Sequence, residues 1–151
     1  DGLRALGAFV RRARPAFIAE VNACAFEDAT LERGSFDFAL TSPPYYDTER
    51  YSSDAGDSAT RYRTFDAWVE GFYRPLIDLT MAALKPGGVF VLNVGDRRYP
   101  LSQTLRAICE GCYGVRDIGR PLGAGAGGGR NGSVGRDREL GEKFYEIRMG
   151  S

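Results

Sequence analysis

Residues 41–46, Thr-Ser-Pro-Pro-Tyr-Tyr, carry the most chemically informative side chains of this chain. They follow Phe36-Asp-Phe-Ala-Leu40, a short apolar run between Gly34 and Thr41 that reads as a buried strand. In an open parallel sheet, ligands sit beyond the carboxyl ends of strands, so the motif falls where a site is expected. Two consecutive prolines fix the backbone and remove two N–H donors, leaving rigidly aimed carbonyls. Ser42 puts a hydroxyl just before them and Tyr45 a flat ring just after. Such a cradle suits a planar heterocycle bearing an exocyclic amino group. An aryl amine is a poor nucleophile because its lone pair is delocalised into the ring. Accepting both amine hydrogens, at Ser42 Oγ and the Pro43 carbonyl, favours a pyramidal nitrogen with a localised pair. Tyr45 can stack on the ring and hold it at attack distance. The chain has no histidine, which is compatible with this chemistry and hostile to most histidine-based acid–base schemes. Taken alone, Ser-Pro-Pro-Tyr also fits an ordinary turn or a proline-rich ligand segment.

The elements that must position this motif follow from periodicity. The 151 residues, 43% hydrophobic, predict one domain with a real core. Leu3, Leu6, Phe9 and Val10 share one face of a short helix, closed by residues 11–14 and Pro15, and residues 16–21 read as a strand. Residues 46–63 are polar and predict a long loop after the motif. Thr64 is a suitable N-cap for a helix in which Phe65, Trp68, Val69, Phe72, Leu76, Leu79 and Ala83 recur at helical spacing. Within it, Trp68 and Phe72 read as core. Pro75 should kink or split that helix, and Pro86-Gly87-Gly88 should end it. Val89–Val94 is a continuous apolar strand, hence central. Leu101–Cys112 predicts a helix with Leu101, Leu105, Ile108 and Cys109 on one face, followed by a strand over Val115–Ile118. Residues 121–136 form a glycine-rich loop, and a last strand over Phe144–Met149 should pair antiparallel with its predecessor across it. Gly123, Gly125 and Gly128 match a dinucleotide-loop spacing, but no helical pattern follows them. Alternation of strand and helix argues α/β with a mostly parallel sheet.

Charge and cysteine content bound the partners. Net charge is zero, with 18 Arg and only 2 Lys, so any grip on nucleic acid must be local or supplied elsewhere. Arginine's planar fork suits phosphates and base edges, although biased codon usage explains the excess equally well. Cys109 and Cys112 have a C-x-x-C spacing, but zinc needs further ligands, so they read as packing thiols near a helix end and no metal is expected. Cys24 completes a set that suggests no disulfide framework, which makes a reducing cytoplasm the default. No apolar run reaches membrane-spanning length, and no secretory leader is visible, so no membrane partner is expected.

Thr41-Ser42-Pro43-Pro44-Tyr45 resembles the catalytic motif of amino-methylating DNA methyltransferases, which modify cytosine N4 or adenine N6 with S-adenosyl-L-methionine. The resemblance implies that Ser42 and Pro43 bind the target amine, Pro44 completes the rigid turn, and Tyr45 stacks on a base flipped out of the duplex. Leu84-Lys-Pro-Gly-Gly88 with the strand after it resembles the helix end and fifth strand of Rossmann-like methyltransferases, and the closing hairpin resembles their sixth and seventh strands. Glu27 and Asp28 are similarly placed to an acidic contact with the cofactor adenine, and Thr41 joins this cofactor-binding set. Tyr46, Arg50 and Tyr51, with Asp47, are expected to line the target pocket or grip a phosphate, and Asn93 and Asp96 to face the site from the central strand; a solvated loop explains residues 46–51 equally well. The implied fold is a Rossmann-like methyltransferase sheet, mostly parallel with an antiparallel C-terminal hairpin. The implied partner is DNA, in a bacterial, archaeal or phage-type cytoplasm.

The family's Phe-x-Gly-x-Gly turn and the second strand, whose acidic end holds the ribose, have no counterpart in the sequence. The expected sheet is therefore incomplete, lacking its first two strands, with exposed edges. The missing part is expected before Asp1, beyond Ser151, or on a second chain, the first fitting best; the chain alone should then bind the cofactor poorly. Two alternatives stay open: a methyltransferase acting on RNA, a protein amide or a small-molecule amine, and a non-catalytic, degenerate methyltransferase that serves as a binding module. Cytosine-C5 chemistry is disfavoured because no cysteine follows either proline of the motif.

Overall fold

The structure, a computed structural model, describes residues 22–46, 58–96, 98–119 and 142–150. Strand β1 (Phe36–Thr41) pairs in parallel with β2 (Leu84–Val94), and this strand is the spine of the sheet. The last strand of the chain runs antiparallel on the other side of β2. It covers Lys143–Met149 and is β4, and it pairs antiparallel again with β3 (Tyr113–Gly119). The order is β1-β2-β4-β3. The protein is thus α/β, with the antiparallel closing hairpin that the sequence predicts. The expectation of a mostly parallel sheet is corrected: one of the three pairings is parallel. The cause is the insertion of β4 between β2 and β3, which replaces one parallel contact by two antiparallel ones. Strands β1, β2 and β3 still run the same way, so their carboxyl ends gather at one edge.

Strand β2 begins at Leu84 rather than Val89. Phe36 lies opposite Leu84 but Phe38 lies opposite Val89, so residues 85–88 bulge out of register. Gly87 supplies a φ of +81°, and a Cβ on Gly88 would meet the Lys85 carbonyl oxygen at 3.0 Å. Pro86-Gly87-Gly88 therefore lies in a bulge near the start of a strand instead of ending a helix, which stops at Ala83.

The helical layer opens with α1 (Ser58–Arg61), inside the stretch expected to be loop. After it, α2 (Phe65–Trp68) is capped as anticipated, with Thr64 Oγ1 accepting from the Ala67 N–H at 3.2 Å. A π-helical turn over Val69–Tyr73 leads directly into α3 (Arg74–Ala83). Pro75 falls in the first turn of α3, where a missing N–H is tolerated, so the helix widens at the preceding turn. An α-helical Gly71 carbonyl would be served by the N–H of residue 75, which proline lacks. The Tyr62 hydroxyl donates to that carbonyl instead, at 2.8 Å. Its ring lies so close that a Cβ at Gly71 would overlap it. Gly71→Ala is expected to cost about 1–3 kcal/mol through overpacking, measurable as a lowered urea midpoint with an unchanged slope.

Helix α4 (Leu101–Cys109) buries Leu101, Leu105, Ile108 and Cys109, the face that the spacing predicts. It ends before Cys112, because Gly111 turns with φ +76° and the Cys112 N–H donates to the Cys109 carbonyl. The helices cover the sheet face that carries Phe90, Leu92, Tyr145 and Ile147, with Trp68 and Tyr73 fully buried between the layers. On the opposite face of β1, Phe38 is 55% and Leu40 61% exposed, and β1 is an edge strand among the described residues. No described helix is long and apolar enough to cross a membrane. The expected elements over residues 3–21, the glycine-rich loop, and Asp47, Arg50 and Tyr51 lie outside the described residues.

Candidate functional site

Thr41 is the last residue of β1 and pairs with Leu92. One residue further, Ser42 is exposed, Pro43 is buried and Pro44 half-buried. The motif thus leaves the sheet at the edge where the carboxyl ends of β1 and β2 lie side by side. Asn93, near the end of β2, donates its amide N–H to Glu142 Oε2 at 3.4 Å. Its Oδ1 is buried and accepts no hydrogen bond among the described residues. Asp96 does not enter this cluster. Its carboxylate accepts the Ser102 N–H at 2.8 Å and the Ser102 hydroxyl, which ties the loop after β2 to the first turn of α4.

The two tyrosines of the motif turn inward. Tyr45 is only 4% exposed and belongs to the core cluster, so its ring offers no open face to a planar ligand. Tyr46 is buried too and has φ +33°, a left-handed backbone that costs a non-glycine residue on the order of 1–3 kcal/mol. Three ring contacts hold it there: Tyr99 at 5.1 Å, and Phe65 and Trp68 at 5.9 Å each. Below them, burial pushes the Tyr73 phenol well above its usual range, and its hydroxyl donates to the Leu101 carbonyl at 3.3 Å. The Trp68 indole N–H donates to Ser58 Oγ at 3.2 Å, so α1 is pinned to the same core.

Glu27 and Asp28 form a short 3-10 turn, Phe26–Asp28, below the motif strand. Both are engaged. Arg61 grips Asp28 with two nitrogens, at 2.7 and 3.1 Å, and reaches Glu27 Oε1 at 3.1 Å. Beside the turn lies an apolar cavity of about 160 Å³, lined by Phe26, Phe38, Ala39, Thr80 and Leu84. An acidic pair beside an apolar slot fits the adenine end of the implied cofactor. Nothing among the described residues cradles its methionine end, so the donor set fits only part of the group.

The Arg61 guanidinium holds the Asp28 carboxyl below its ordinary range, chiefly through the hydrogen bond. A depressed carboxylate stabilises the fold above its unfolded value, and that contribution fades as pH falls through the folded value. Arg61→Ala should therefore raise the Asp28 titration midpoint, followed by carboxyl-carbon NMR, back toward the ordinary carboxylate range. An unchanged midpoint would mean that the pair does not form in solution.

The C-x-x-C thiols divide. Cys109 is buried at the end of α4, and burial pushes its thiol up to about 11, whereas Cys112 is exposed, which corrects the reading of both as packing residues. Sequence reasoning overlooked the Tyr62–Gly71 contact, the Asp96 cap and the ring of Tyr99. Pro75 was the one signal for the first, and by itself it pointed to a kink.

No protein-family model matches the chain, and neither a curated protein nor a solved structure matches it.

Proposed function

We propose that this chain is the catalytic part of an S-adenosyl-L-methionine-dependent N-methyltransferase that modifies the exocyclic amine of a nucleic-acid base, cytosine N4 or adenine N6 in DNA. The observation that carries the proposal is the exposed Ser42 at the carboxyl end of β1, followed at once by two prolines and level with the end of β2. That is where an open α/β sheet presents a ligand. Ser42 Oγ and the Pro43 carbonyl accept the two amine hydrogens and orient the nitrogen lone pair. Asn93 Oδ1, one residue beyond the Thr41–Leu92 pair on the neighbouring strand, is a buried acceptor of matching chemistry at the same end of the sheet. The cofactor supplies a methyl group activated by its attachment to sulfur. Stacking by Tyr45 requires its ring to leave the core cluster, because neither face is open while it is packed there.

The strand order supports a Rossmann-like reading of this half of a sheet, with β4 as the antiparallel insertion. The edge position of β1 among the described residues supports continuation of the sheet beyond it, and the exposed Phe38 and Leu40 support a further layer over that face, on a segment outside the described residues or on a second chain. A cytoplasmic setting goes with this reading. The test is nucleoside mass spectrometry after incubation of the chain with DNA and the cofactor at high concentration, in search of N4-methylcytosine or N6-methyladenine.

A second reading, a binding module without catalysis, is favoured by one observation: Glu27 and Asp28 are both already committed to Arg61. It predicts nucleic-acid or partner binding that Ser42→Ala leaves intact, with no methylated base from the unaltered chain.

A further inference from the structure

Residues 109–112, Cys-Glu-Gly-Cys, join α4 to β3. Glu110 has φ −55° and ψ 126°, Gly111 has φ +76°, and the Cys112 N–H donates to the Cys109 carbonyl at 3.0 Å. Those values define a type II turn, whose third position calls for glycine. Such a turn brings its first and fourth Cα atoms within about 7 Å, and a disulfide spans about 4.4–6.8 Å between Cα atoms. The turn is fixed from both sides. The Gly150 N–H donates to the Cys112 carbonyl at 3.2 Å, and the Tyr113 hydroxyl donates to Asp78 Oδ1 at 3.3 Å.

The two thiols are unequal partners. Cys112 is exposed; Cys109 is buried, at the wall of an open groove of about 460 Å³ that Gln103, Arg106, Glu110 and Tyr113 also line. Burial pushes the Cys109 thiol up to about 11, with Asp78 and Cys112 adding to the shift. Only a thiolate attacks a disulfide, so the exposed sulfur reacts first. Packing explains Cys109 but not Cys112, an exposed thiol that a glycine turn holds three residues from another. Cys24 is exposed as well, and the sequence puts no cysteine near it.

We propose that Cys112, with Cys109 as its resolving partner, is a site of thiol–disulfide exchange that takes low-molecular-weight disulfides. The Cys112 thiolate attacks one sulfur of the small disulfide. A bond forms between the two sulfurs, the original S–S bond breaks, and the departing thiolate takes up the proton that Cys112 released. The Cys109 thiolate then attacks the Cys112 sulfur and expels the second thiolate, which takes up the Cys109 proton. Two protein thiols thus lose two protons and two electrons, and the small disulfide is reduced to two thiols. The cross-link joins the end of α4 to the residue before β3. It lies at the amino end of β3, the far end of the sheet from Ser42, because β1, β2 and β3 run the same way. This chemistry is therefore independent of the methyltransferase reading.

The full chain carrying Cys24→Ser, reduced and then incubated with glutathione disulfide, tests the proposal by intact-mass spectrometry with peptide mapping. One glutathione moiety should appear on Cys112 and then leave, with the chain ending two hydrogens lighter and cross-linked between Cys109 and Cys112. Dithiothreitol should restore the starting mass. Cys109→Ser should stop at the Cys112 adduct, and Cys109→Ala serves the same end if a buried hydroxyl prevents folding. Cys112→Ser alters an exposed side chain and should leave the fold intact. It should take up glutathione at least about a hundredfold more slowly, since a thiol at about 11 has little thiolate at neutral pH. No reaction of the folded chain, or closure only after unfolding in urea, would overturn the proposal. So would an adduct that stays on Cys112 while Cys109 is intact, a cross-link between two copies instead of within one, or equal uptake by Cys112→Ser.

Discussion

Ser42→Ala is expected to reduce methyl transfer by about a hundredfold or more, the scale seen when one preorganised polar contact to a reacting group is removed. The melting temperature should stay within a degree or so, because an exposed serine beyond a strand end contributes little to packing. Loss of the hydroxyl leaves one amine hydrogen without an acceptor, so the nitrogen lone pair stays conjugated with the ring and attack on the methyl carbon slows. The change should fall on kcat more than on KM, since the acceptor matters most when the nitrogen becomes pyramidal. A variant that methylates as fast as the parent would remove Ser42 from the chemistry. A variant that loses activity and stability together would make the residue structural.

Trp68→Ala is expected to be the most destabilising single substitution among the described residues. The indole is fully buried, contacts the rings of Tyr46, Phe65, Phe72 and Tyr73, and donates to Ser58 Oγ. Removing such a side chain costs about 3–5 kcal/mol in transfer and cavity terms. For a domain of this size that lowers the melting temperature by roughly 6–20 °C at about 2–4 °C per kcal/mol. Trp68→Phe should recover more than half of the loss, because it refills most of the cavity and forfeits mainly the hydrogen bond to Ser58. Equal effects from both variants, measured by calorimetry, would mean that the indole N–H rather than the ring volume holds the layer together.

Much of the fold is written locally in the chain. The continuous apolar run from Val89 to Val94 marks β2 as central, and the structure flanks it with β1 and β4. The capping threonine at 64, the buried face of α4 and the closing hairpin were readable for the same reason: each is decided by neighbours in sequence. What was not readable depends on distant partners. Whether β4 lies beside β3 alone or also beside β2 is a matter of long-range pairing, and it turned the sheet from mostly parallel to mixed. Pro75 announced a broken helix, yet the donor that repairs the gap comes from Tyr62, nine residues before the Gly71 carbonyl it serves. The early start of β2 required the bulge opposite Phe36–Phe38, which no periodicity encodes.

The candidate site was legible to the same degree. Its position, a polar residue and two prolines at the end of an apolar strand, follows from the sequence, and Ser42 is exposed there. The direction of the Tyr45 ring was not, since a motif without periodicity does not say on which side of the turn a side chain falls. The acidic pair at Glu27 and Asp28 was recognisable as charge near the motif strand, but its partner Arg61 comes from the far side of the loop.

The central claim is that Ser42 and Pro43 present an exocyclic amine for methylation. It is tested most directly by where a labelled methyl group goes. The chain is incubated with methyl-labelled cofactor at saturating concentration and with single-stranded DNA, and the nucleosides are resolved by mass spectrometry. The account predicts label on cytosine N4 or adenine N6, lost in Ser42→Ala. Label on a ring carbon, label that persists at full level in Ser42→Ala, or no labelled base at all would contradict it.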